Sequence, residues 1–81
     1  MKTEVFKEKI YGPYSEAWKI IKIIQTAGKS SSDDETWKKY MREIDSFDKK
    51  YPGNRFKDTL VKMLIDAGDD IAKMNGEEQT T

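Results

Sequence analysis

Along most of the chain the apolar residues return every three or four positions, and nowhere do they alternate over a sustained run. That period predicts helices and no strands. In the first strong segment, from about Pro13 to Ala27, Tyr14, Ala17, Trp18, Ile21 and Ile24 fall on one face. Pro13 suits a first helical turn, where its missing N–H needs no partner, with Gly12 as the cap. Gly28 stands where a left-handed residue commonly stops a helix. Upstream, Val5, Phe6 and Ile10 predict a further helical turn or two, folded back at Tyr11-Gly12-Pro13 and packed across the rest.

The polar stretch Lys29-Ser30-Ser31-Ser32 reads as a loop, and Ser32 with Glu35 as a capping box that opens a second helix. Asp33, Asp34 and Glu35 set negative charge against the positive end of its dipole. Its stripe, Trp37, Tyr40, Ile44, Phe47 and Tyr51 with Met41 alongside, is a narrow seam suited to helix–helix packing and runs to about Lys50. Pro52-Gly53-Asn54 breaks it. Asn54 is placed to cap a third helix that carries Phe56, Leu60, Met63, Leu64, Ala67, Ile71 and Met74, with Asn75-Gly76 as its stop.

The expected fold is therefore all-α, a small helical bundle of three main helices with a short N-terminal helical segment. Residues 1–76 form the single domain and 77–81 a frayed polar tail. With 81 residues, net stability is expected at only ~4–12 kcal/mol, so most large apolar side chains must reach the core.

Composition narrows the chemistry. The chain has no Cys and no His, which removes disulfides, thiolate nucleophiles and the commonest base and metal ligand. Ser30, Ser31 and Ser32 have no imidazole to activate them, and no Gly-rich phosphate loop appears. No enzyme activity and no cofactor is expected. Asp33-Asp34-Glu35 and Asp66 with Asp69-Asp70 lack the spacing of a calcium loop, and no metal is expected. No apolar run is long enough for a signal peptide or a membrane span, and a cytoplasmic setting fits the missing Cys.

What remains is apolar surplus. Ile20 and Ile23 lie about a third of a turn from the Tyr14–Trp18–Ile21 face and widen the apolar arc to roughly 220°. Val61, Ile65, Gly68 and Ala72 form a similar flank on the third helix, where Gly68 and Ala72 permit another backbone to come close. A mid-helix Gly costs ~1 kcal/mol relative to Ala, so close packing or a helix end near Ala67-Gly68 would explain it, if it is not simply tolerated. These six residues, Ile20, Ile23, Val61, Ile65, Gly68 and Ala72, are the expected face for a protein partner or a second copy. The plain alternative is that the first helix is central and the N-terminal segment covers the surplus.

The basic residues Lys38, Arg42, Lys49, Lys50, Arg55 and Lys57, interleaved with Tyr51 and Phe56, raise a second reading, a nucleic-acid-associated accessory protein. Against it, fifteen basic residues balance fifteen acidic ones, and Asp45, Asp48 and Asp58 are placed for local ion pairs. Residues 1–29 carry six Lys against three Glu, a mild net of +3.

Tyr14-Ser15-Glu16-Ala17-Trp18-Lys19, Trp37-Lys38-Lys39-Tyr40, and Lys49-Lys50-Tyr51 with Pro52 give residues 5–72 a pattern that resembles short helical accessory proteins of Clostridia-type bacteria and their mobile elements. The resemblance implies a cytoplasmic bacterial protein. That group has no established activity, so it supplies no functional residues. The expectation is a non-enzymatic interaction module that binds a protein partner or itself.

Overall fold

A computed structural model describes the backbone of residues 1–25 and 34–80, and the side chains of 1–25 and 35–75. The described residues form three helices and no strand. The first, α1, spans residues 3–24; α2 is Asp34–Lys50 and α3 is Arg55–Thr80. The expected Ser32 capping residue, Asp33 and the Gly28 stop lie outside the described residues.

The N-terminal turns do not fold back. Thr3–Phe6 continues through a wide π turn, Lys7–Tyr11, into the α-helical Gly12–Ile21, and the helix tightens to 3-10 geometry over Lys22–Ile24. Tyr11 and Gly12 both keep right-handed helical angles, so Gly12 is a helical residue and no cap. Pro13 accounts for the π turn. Its ring crowds the carbonyl four residues back and it has no N–H to offer that carbonyl. Lys9 owns that oxygen. Widening the turn, with the Gly12 N–H donating to Lys7 O, moves it aside. The Asn54 amide then donates to Lys9 O at 2.9 Å from the far side of the bundle.

Asn54 also does what its position predicts. Its Oδ1 accepts the Lys57 N–H at 2.9 Å and so caps α3. Before it, Pro52 and Gly53 occupy the middle of a turn closed by Asn54 N–H to Tyr51 O at 3.3 Å. Gly53 has φ 74°, the left-handed value that the third residue of a type II turn needs. At its other end α3 runs on through Asn75-Gly76 to Thr80. The expected stop is overridden, and the Asn75 amide donates instead to Gln25 O at 3.4 Å. Two asparagines thus tie α3 alongside α1, 54 to 9 and 75 to 25, so these helices run parallel with α2 antiparallel to both.

The core is Ala17, Ile20 and Ile24 from α1, Tyr40, Ile44 and Phe47 from α2, and Leu60 and Leu64 from α3. No buried side-chain nitrogen or oxygen among the described residues lacks a partner. Gly68 is buried because α3 passes close to α2: a Cβ there would meet the rings of Tyr40 and Trp37. Close packing is therefore the reason for this glycine, and it is packing within the chain.

Candidate interaction face

The six residues expected to form a partner face do not share one surface. Ile20 is core, Ile23 and Val61 are half-buried against the core, Gly68 lies under Tyr40, and Ala72 is half-buried. Ile65 is the one that stands exposed. The reason is a rotation of α1. Its buried stripe is Pro13, Ala17, Ile20 and Ile24, turned ~70° from the expected face of Tyr14, Ala17, Trp18, Ile21 and Ile24. Isoleucine has no polar atom to satisfy in a core, whereas Tyr and Trp carry a donor that wants a partner when buried. The helix thus bears two stripes, one aliphatic and inward, the other aromatic and outward. That division is legible in the residue types and is missed when all apolar residues count alike.

The outward stripe is Tyr11, Tyr14 and Trp18, at 62%, 57% and 58% exposure. Tyr14, Ala17, Trp18 and Ile21 of α1 line a hollow with Leu60 and Met63 of α3. Trp18, Ile21, Lys22 and Gln25 line a second with Ile71. Trp18 is the ridge between the two. On the α1 edge of this face stands Lys22; on the α3 edge the helical period places Asp66 and Asp70, both exposed.

The basic set fares differently. Lys57 is buried, its ammonium held between Asp48 and, at 2.7 Å, Asp58. Hydrogen bonds to Asp48 first and Asp58 second push its pKa up. This corrects its place in a nucleic-acid face, because a buried, doubly paired lysine cannot reach a phosphate. Lys49 pairs with Asp45 at 2.9 Å, and Lys50 with Glu16. Lys38, Arg42 and Arg55 are exposed on α2 and at the start of α3. Lys49, Lys50 and Lys57 are thus already matched to carboxylates.

A shallow furrow between α1 and α2 brings together Glu16, Glu43, Lys19, Lys50 and Ser46 over Ile20 and Phe47. Glu16 is occupied by Lys50, and the pKa of the Tyr51 hydroxyl is raised first by burial and then by Glu16. Among the described residues no three His, Cys, Asp or Glu side chains are grouped to hold a metal ion, and no helix is long and apolar enough to cross a membrane. Comparison with known proteins finds no matching family model, no similar curated protein and no similar solved structure.

Proposed function

We propose that the protein is a non-enzymatic interaction module that binds a protein partner through the α1–α3 face carrying Tyr14, Trp18 and Met63. One observation carries the reading: a core already filled from all three helices coexists with an outward Tyr and Trp stripe on a hollow lined by Ala17, Ile21 and Leu60. Trp and Tyr are the residues that dominate binding energy when a partner desolvates them. In a small domain that needs its apolar residues inside, leaving these outside costs core stability and calls for a use. The reading includes a cytoplasmic setting, which the cysteine-free sequence permits. The nucleic-acid reading has less support, since Lys49, Lys50 and Lys57 are matched to carboxylates within the chain.

The test is site-specific photo-crosslinking in the source cells. Tyr14→p-benzoylphenylalanine is expected to give discrete protein adducts, and the same group at the exposed position of Lys39 on α2 is expected to give none. Equal labelling at the two positions would remove the face from consideration.

A further inference from the structure

We propose that the partner is a second copy of this chain, docked face to face about a two-fold axis running along the helices, so that α1 of each copy lies over α3 of the other. The proposal rests on the interaction-face reading above and adds the occupant and its orientation.

Shape is the first ground. A two-fold interface needs one patch that complements itself. Here the ridge, Trp18, borders at its own height a hollow that Leu60 and Met63 line from α3 on the same face. A second copy offers a hollow for each ridge.

Charge is the second and independent ground, and it selects the axis. The α1 edge bears Lys22 and the α3 edge bears Asp70; neither has an ion-pair partner among the described residues. A two-fold along the helices sets Lys22 of one copy on Asp70 of the other, twice. A two-fold across the helices lays α1 on α1 and α3 on α3 and brings these two residues together in neither place.

The heights also match. Because α1 and α3 are parallel and tied at Gln25 and Asn75, an axis along them preserves height. Lys22 lies three residues before Gln25 in the 3-10 turn and Asp70 five before Asn75 in α-helix, or ~6 and ~7.5 Å at the respective rises, a difference of ~1.5 Å. A lysine side chain spans that. The zero net charge removes long-range repulsion between copies.

Sedimentation equilibrium of the full chain from about 1 μM to about 1 mM tests this. The expected mass rises from 9.4 kDa to twice that value. Trp18→Ala is expected to abolish the rise while leaving the circular dichroism spectrum unchanged. Lys22→Asp and Asp70→Lys are each expected to weaken association about tenfold, since each creates two like-charge contacts. The double variant K22D/D70K in one chain is expected to return to within about threefold of the parent, the signature of two residues that face each other across the axis. A mass of 9.4 kDa at every concentration overturns the proposal. So does a dimer indifferent to both charge reversals. A monomer whose Tyr14 position still crosslinks a different protein would sink the second-copy inference and leave the interaction face standing; a monomer with no adducts would sink both.

Discussion

The ring of Tyr40 occupies the space that a side chain at Gly68 would take. A Cβ there would stand 3.2 Å from Tyr40 Cε2 and 3.5 Å from Trp37 Cζ3. Because α3 is bare at that point, the Tyr40 hydroxyl reaches past it and donates to the Leu64 carbonyl one turn away. Trp37 closes the cluster edge-on, its ring centroid 5.9 Å from that of Tyr40. Two opposing effects therefore meet in Gly68→Ala. Helix propensity gains ~1 kcal/mol, while crowding a buried ring costs ~1–3 kcal/mol. Crowding should win, because Tyr40 is 1% exposed and its hydroxyl is tethered. The expected result is a net loss of about 1 kcal/mol in urea unfolding, with a larger loss for Gly68→Val.

The same burial gives the fold an alkaline edge. Desolvation pushes the Tyr40 hydroxyl from 10.0 up to about 12. A folded-state value above the unfolded one means the native chain holds the proton more tightly. Stability from this group is complete below pH 10 and is lost as pH rises from there towards 12. Lys57, Lys49 and Lys50 are raised too and act in the same direction. Subtraction isolates Tyr40: thermal midpoints of the parent should fall more steeply than those of Tyr40→Phe across this range. Parallel curves would show that the hydroxyl does not carry the effect.

Asn54 joins two elements with one side chain, and its two atoms can be removed separately. Asn54→Asp keeps the oxygen that caps Lys57 N–H and loses the amide that donates to Lys9 O. Asn54→Ala loses both. A cap is worth ~1 kcal/mol and a hydrogen bond to an otherwise orphaned carbonyl a similar ~1 kcal/mol. The expected order of stability is parent, Asp, Ala, in steps of about 1 kcal/mol. Replacing Pro13 by Ala supplies the missing N–H, so Asn54→Asp should cost less in a Pro13→Ala background.

Local signals carried well from sequence to structure, and tertiary choices carried poorly. The Pro52-Gly53-Asn54 break was legible because each residue has a specific backbone role: fixed φ, positive φ and cap. The seam on α2 was legible because Tyr40, Ile44 and Phe47 keep one period against one partner groove. The join at Tyr11-Gly12-Pro13 was not, because a proline reads equally as a helix start and as a site where the turn widens. The chosen orientation depended on Asn54, far along the chain. Gly76 ended nothing because Asn75 is held to α1 by a bond that no local pattern shows. Ile20 and Ile23 were expected on a surplus flank and are buried or half-buried, because Tyr14 and Trp18 were counted into the inward face on the same footing as Ala17 and Ile24. The polar edges of the two aromatics make the outward position cheaper for them than for the isoleucines.

That distinction between the two stripes of α1 has a direct thermodynamic consequence. Ile20 is 6% exposed among Ala17, Phe47 and their neighbours, so Ile20→Ala leaves a cavity as well as losing transfer energy. The expected cost is ~2–4 kcal/mol, a large fraction of what an 81-residue chain can have. Trp18 is the larger side chain, yet at 58% exposure its removal opens no enclosed space. Trp18→Ala is expected to cost under ~1.5 kcal/mol when unfolding is followed in dilute protein, where association contributes nothing. The reverse order would place Trp18 in the core and return Ile20 to the surface, and with it the face on which binding has been argued. Far-ultraviolet circular dichroism in urea at matched protein concentrations decides between the two orders, because both variants retain all three helices at zero denaturant if the assignment of stripes is right.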